Sequence, residues 1–220
     1  MGDVSRETIP APDPVVAAQV FAPDRLRALE RYAGLLATEG VTRGLIGPRE
    51  VPRLWDRHLV NCGLLLPLVG EGSRVVDLGS GAGLPGLVLA LARPDLRVTL
   101  IEPMARRVAF LDEACQELGL ASVRVVRTRA EQWTSPERFD VVTARALAPL
   151  DRLLGWAMPL VGDDGLVLAM KGASATEEIE AAGPALRRWR ASAEVVTSSV
   201  PGSSATTVVR VVRGPGPTLG

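Results

Sequence analysis

The chain has 220 residues, 47% of them hydrophobic, and its 25 basic and 25 acidic side chains cancel to a formal charge of zero. That is room for one packed domain with an appendage; it is too apolar for a disordered protein, and any contact with a polyanion has to come from a local patch rather than from a global field. Two cysteines, Cys62 and Cys115, and one histidine, His58, exclude a disulfide framework and make a structural metal improbable.

Residues 1–20 are polar and proline-punctuated, without a basic-then-apolar leader, and are expected to form a mobile N-terminal segment. No apolar run reaches the length of a membrane span, so a cytoplasmic location is expected. Residues 21–70 read as a helical extension. Over 24–37, Leu26, Leu29, Ala33 and Leu36 recur at helical spacing, with Asp24 as N-cap and Gly40 as stop. A second helix is expected over 48–66, where Arg49, Arg53 and Arg57 fall at i, i+4 on one face. That stripe is either a solvated ridge paired with Glu50 and Asp56 or a phosphate-binding ridge. His58 in the same stretch reads as a packed or orienting residue before a catalytic one.

From residue 71 to 213 apolar and polar segments alternate as in a βαβ series. Strands are expected at 74–78, 97–101, 123–126, 139–144 and 165–170. Helices are expected at 87–92, 104–118, 150–160 and 175–189. In the second of these Met104, Val108, Leu111, Cys115 and Leu118 form an apolar stripe and Gly119 a stop. Two β-branched runs, 193–200 and 205–212, flank Pro201-Gly202 as a hairpin, and 214–220 reads as a frayed, disordered tail. The expected fold is α/β and Rossmann-like: a mostly parallel sheet with an antiparallel C-terminal edge, preceded by the helical extension.

The chemistry centres on Asp77-Leu78-Gly79-Ser80-Gly81-Ala82-Gly83-Leu84-Pro85-Gly86, an acid at a strand end followed by closely spaced glycines. Such a turn builds a nucleotide-sized site at the carboxyl edge of a sheet. The run satisfies G-x-G-x-x-G, which keeps an NAD-dependent oxidoreductase as an alternative. Asp77 separates the cases: a carboxylate there faces a pyrophosphate unfavourably but suits the ammonium of S-adenosyl-L-methionine. Glu102, at the end of the next strand, can accept hydrogen bonds from both ribose hydroxyls of either ligand. The competing role for Asp77 and Glu102 is to order the loop.

The Asp77-to-Gly83 run resembles the cofactor motif of class I S-adenosylmethionine-dependent methyltransferases. With Leu84-Pro85-Gly86, Glu102 followed by Arg106-Arg107-Val108-Ala109-Phe110-Leu111, Arg129-Ala130-Glu131, Val142-Thr143-Ala144-Arg145-Ala146, Met170-Lys171-Gly172 and, upstream, Trp55-Asp56-Arg57-His58-Leu59, the ordered set is similar to the bacterial small-subunit rRNA guanine-N7 methyltransferase family, also called glucose-inhibited division protein B. The resemblance spans about 24–172 and implies cofactor contacts at Gly79, Leu84, Ala130, Glu131 and Arg145, to which the glycines Gly81 and Gly83 and, on physical grounds, Asp77 and Glu102 are added. Arginines stand at 106 and 107 where lysines are common in that family, so charge is kept.

Two signatures of other methyl acceptors are missing after the fourth strand, where Thr143-Ala144-Arg145-Ala146 offers neither an Asn/Asp-Pro-Pro-aromatic turn nor a cysteine nucleophile. Guanine N7 exposes a lone pair and needs no general base, so alignment of nucleophile, methyl and sulfur suffices. Arg145 is the candidate orienting residue, bonding guanine O6, a phosphate or the cofactor carboxylate, with an ion pair to Asp140 or Asp151 as the structural alternative. Arg49, Arg53, Arg57, His58, Arg106, Arg107 and Lys171 are the candidate RNA contacts. The expected partner is 16S rRNA in the small subunit or an assembly intermediate, and the expected state a monomer. A small-molecule methyltransferase and a non-catalytic RNA-binding scaffold remain as rivals.

Overall fold

The computed structural model describes residues 11–214. Seven strands form one sheet: β1 (Arg74–Leu78), β2 (Arg97–Ile101), β3 (Val123–Val126), β4 (Phe139–Arg145), β5 (Val161–Lys171), β6 (Ala191–Ser198) and β7 (Thr206–Arg213), in the order β3-β2-β1-β4-β5-β7-β6. The first five are mutually parallel, β7 adds antiparallel to β5, and β6 adds antiparallel to β7 as the expected edge hairpin. The order reverses between β1 and β4. Ligands of open α/β sheets bind outside the carboxyl ends of strands at such a switch point.

Before the sheet come α1 (Pro14–Val20), α2 (Pro23–Leu35) and α3 (Asn61–Gly63); within it come α4 (Gly86–Ala92), α5 (Ala105–Leu118), α6 (Leu150–Ala157), α7 (Ala175–Ala181) and α8 (Gly183–Trp189). Side chains alternate across each strand, and the two faces bury different cores. Val75, Val98, Leu100, Val141, Leu168 and Met170 pack with α4, α5 and the N-terminal helices. Val76, Leu78, Ile101, Val142, Val167 and Ala169 pack with α6, α7 and α8. Leu29, Tyr32, Leu54, Leu59 and Cys62 belong to the first core, so the N-terminal extension shares its hydrophobic interior with the sheet domain.

Several sequence expectations are corrected. The mobile segment expected over 1–20 is helical over Pro14–Val20, where Asp13 accepts from the N–H groups of Val15 and Val16 and Val16 and Ala17 are buried; residues 1–10 lie outside the described residues. Asp24 is not the cap of α2, because Pro23 takes the first helical position and Asp24 falls within the first turn. The helix expected over 48–66 is broken into a 3-10 segment, Pro48–Arg53, a π-type segment, Leu54–Val60, the short α3 and a 3-10 turn, Leu66–Leu68. Pro52 lacks the N–H that an α-helix would need there. In α5 the buried face is Phe110, Leu111 and Ala114, whereas Met104 is 40% exposed and Cys115 half-buried, so the apolar stripe is rotated from the expected one. Ala182 separates α7 from α8, with Gly183 starting the second helix and Pro184 in its first turn. Of the tail expected over 214–220, only Gly214 is described, and its N–H donates to Arg190 O at 2.7 Å.

Candidate active site

Strand parity assembles the site. Asp77 pairs in register with Thr143, so Asp77, Thr143 and Arg145 share the face covered by α4 and the N-terminal extension. Lys171 points to the opposite face, as Ala169 does. The sheet thus delivers one acid and one arginine to the same side of its switch point.

Gly79, Gly81 and Gly83 all have positive φ, 71°, 59° and 96°, conformations that L side chains rarely adopt. Space is limiting as well. A Cβ on Gly79 would lie 2.5 Å from Leu147 Cδ1, and one on Gly86 would lie 2.9 Å from Asp77 Oδ2. The loop is held from three directions. The Gly79 and Ser80 N–H groups donate to Ile101 O at 2.8 and 3.0 Å, the Gly81 N–H donates to Glu102 Oε2 at 2.9 Å, and the Tyr32 hydroxyl donates to Ala82 O at 2.7 Å.

Asp77 is fully buried, and its Oδ2 accepts from the Gly86 N–H at 3.1 Å. Its Oδ1 has no hydrogen-bond partner among the described residues. Burial pushes the carboxyl up to about 7, against the Gly86 N–H and the Arg145 charge, which pull it down. An orphaned carboxylate oxygen beside a glycine cradle has the donor demand that a cofactor ammonium would satisfy. Glu102 is also buried, and both of its oxygens are engaged: Oε2 with Gly81, and Oε1 with the Met104 N–H at 2.9 Å. It therefore orders the loop, each oxygen keeping a lone pair for a further donor. Ala130 is buried in a 3-10 turn after β3, Leu84 lies at the core's edge, and Glu131 is exposed and lies 3.7 Å from Arg129.

Beside this loop, a cavity of about 950 Å³ opens over the ends of β4 and β5, lined by Arg53, Arg57, Arg145, Leu147, Lys171 and Thr206 among others. Leu147 both lines the cavity and covers Gly79, and it follows Ala146, a non-glycine residue with φ of 51°. Arg145 forms neither of the ion pairs expected as its structural alternative, since Asp140 instead pairs with Arg74. Its guanidinium donates to Arg57 O at 3.1 Å, to His58 Nδ1 at 3.0 Å and, weakly, to Cys62 Sγ at 3.5 Å.

The other candidates divide. Arg53 and Arg57 are exposed at the cavity, although Arg57 also bonds Glu50 at 3.0 Å; Arg49 is exposed outside the lining. Asp56 bonds the Ser204 N–H and hydroxyl, and Asn61 bonds Thr206, so the extension is tied to the start of β7. Arg106 is exposed on α5, whereas Arg107 turns toward Glu102 at 3.6 Å. Lys171 spends its ammonium on Glu178 Oε2 at 2.6 Å and Ala148 O at 2.7 Å. Sequence reasoning missed Tyr32, Cys62 and Leu147. Nothing in the local sequence distinguishes these three from ordinary core residues.

A seven-stranded sheet with a reversed hairpin at one edge and a glycine cradle after β1 defines a class I methyltransferase fold. Solved structures agree: a ribosomal protein L11 methylase from Lactobacillus delbrueckii subsp. bulgaricus superposes with TM-score 0.57 at 16% identity, over 72% of this chain and 79% of that one. Coclaurine N-methyltransferase bound to N-methylheliamine and SAH gives 0.50 at 16% identity, over 70% and 54%. The family model described as "GidB: rRNA small subunit methyltransferase G" matches residues 25–205, and the chain belongs to that family. Among relatives named "Ribosomal RNA small subunit methyltransferase G", the one from Nocardioides sp. is 61% identical, covering 96% of this chain and 84% of the relative. That from Kineococcus radiotolerans is 56% identical, covering 94% and 83%.

Among the described residues no group of three or more His, Cys, Asp or Glu could hold a metal ion, and no helix is long and apolar enough to cross a membrane.

Proposed function

We propose that this chain is an S-adenosyl-L-methionine-dependent methyltransferase that methylates N7 of a guanine in 16S rRNA of the small ribosomal subunit. The observation that carries the reading is a cavity with arginines at its rim and, among the described residues, no side chain poised to take a proton. Lys171 and Glu178 neutralise each other, and the ring nitrogens of His58 face Arg145 and Glu50. Such a site suits an acceptor atom that already owns a lone pair. The family to which the chain belongs and the rRNA named for its relatives support the same substrate.

Asp77 Oδ1 would bind the cofactor ammonium, the cradle at Gly79, Gly81 and Gly83 would admit its backbone-sized approach, and Glu102 and the Ala130–Glu131 turn would flank the adenosine. When bound, the cofactor supplies an electrophilic methyl group on a sulfonium. Arg145 donates to guanine O6 or an adjacent phosphate and so sets the angle of N7, while Leu147 excludes water between the two halves of the site. Arg53 and Arg57 hold phosphates without reading sequence. In a paired A-form helix the major-groove edge that carries N7 is too deep to reach, which favours an unpaired guanine.

The test uses small subunits from cells lacking the enzyme, methyl-labelled cofactor and a cleavage chemistry selective for 7-methylguanine. One labelled and cleaved site in 16S rRNA is the expected result. Label without cleavage overturns N7 as the acceptor, and no transfer to free rRNA or to subunits overturns the rRNA substrate.

A further inference from the structure

We propose that His58 is a positioning residue: it fixes Arg145 at the acceptor cavity through the chain Glu50, His58, Arg145, and does not itself contact RNA. This rests on the reading of Arg145 as the group that orients the acceptor. Arg145 and His58 lie 87 positions apart and meet at 3.0 Å, from Arg145 Nη2 to His58 Nδ1. A guanidinium has five N–H donors and no acceptor, so Nδ1 must accept. The proton of the neutral ring is then on Nε2, which donates to Glu50 Oε2 at 3.2 Å. Chemistry alone settles the tautomer. The His58 side chain is only 12% exposed, which leaves little surface for RNA.

The same guanidinium nitrogen also donates to Arg57 O, so both hydrogens of Nη2 are committed to the N-terminal extension. The Nε–H and one Nη1–H stay available to a ligand. The extension therefore sets the angle at which Arg145 meets the acceptor. Protonating His58 at Nδ1 would remove the acceptor and set two cations face to face. The charged groups facing the ring are Glu50 from the 3-10 segment, Arg57 from its own element and Arg145 from β4. Burial and the Arg145 charge hold the imidazole below its usual 6.5, against the opposing pull of Glu50. The arrangement is thus intact at neutral pH and is lost as pH falls through that lowered value.

His58 is the only histidine in the chain, so one imidazole spin system reports on it. Nitrogen-15 NMR of the full chain is expected to show a neutral ring protonated at Nε2 that titrates below 6.5. Arg145→Met is expected to move the titration upward. In methyl transfer, His58→Leu should lower kcat tenfold or more with cofactor affinity unchanged. His58→Asn, whose Oδ1 can take the place of Nδ1, should recover most of the rate and lose the acid limb of the wild-type pH profile. A ring protonated at Nδ1, a titration indifferent to Arg145→Met, or a His58→Leu enzyme with wild-type kcat overturns the proposal. The NMR arm needs no turnover and no foldable Leu variant, so it decides the hydrogen-bond chain even where the rRNA assay fails.

Discussion

Asp77 carries the most consequential pKa in the molecule. Its carboxyl is raised to about 7 by burial, so in the cofactor-free protein this group contributes stability that is complete below its unfolded value and is lost as pH rises through 7. Asp77→Asn imitates the protonated acid at every pH. The variant should match the wild type in thermal midpoint only below about pH 3.5, where both states of the wild type are protonated, and exceed it increasingly up to about pH 8.5. Calorimetric titration should show cofactor affinity at least about tenfold weaker, a loss of about 1.4 kcal/mol. A midpoint difference that does not change with pH would remove Asp77 ionisation from the account. The acid at the strand end, the glycines and Arg145 were all legible as residues, because strand-end position and side-chain chemistry are local properties. The orphaned Oδ1 was not, since it depends on what α4 packs against the carboxylate.

At the scale of elements, α2 and the glycine loop are one mechanical unit through Tyr32, whose hydroxyl reaches Ala82 O from 50 residues away while the side chain is fully buried. Tyr32→Phe keeps the ring and strands a carbonyl, which costs about 1–3 kcal/mol. Urea denaturation should show that loss, and cofactor affinity should fall while the acceptor KM stays constant. Undiminished cofactor affinity would separate the loop from α2. The strands were read from the sequence to within a few residues, because valine-rich runs of four to eight residues have few alternatives. The extension departs from the α-helix expected at 48–66: the arginine spacing suits an α-helix, but Pro52 lacks the N–H that such a helix needs, Arg49 and Arg53 fall in a 3-10 segment, and Arg57 falls in the π-type turns that follow. Ala182-Gly183-Pro184 carried a breaker signal that the continuous 175–189 reading passed over.

Across the whole molecule, a formal charge of zero coexists with arginines gathered at one cavity. Binding to rRNA should therefore depend on a few phosphates rather than on a global field. Replacing Arg53 and Arg57 by glutamine should weaken rRNA binding and reduce the slope of log affinity against log salt by roughly 0.7 for each phosphate that the variant no longer neutralises, with cofactor affinity unaffected. Filter binding over a salt series measures both, and an unchanged slope would take the arginine pair out of the RNA surface.

The sheet, its antiparallel edge, the glycine loop after β1 and the placement of Arg145 at a strand end are written in periodicity, glycine spacing and residue chemistry along short stretches of the chain. That Lys171 is consumed by Glu178, that Glu102 braces the loop, and that His58 and Arg57 O clamp Arg145 emerges only in the folded chain. Those outcomes depend on which side chains from distant segments arrive at the same face of the sheet with unpaired donors and acceptors, and burial leaves such groups no option but to pair with one another.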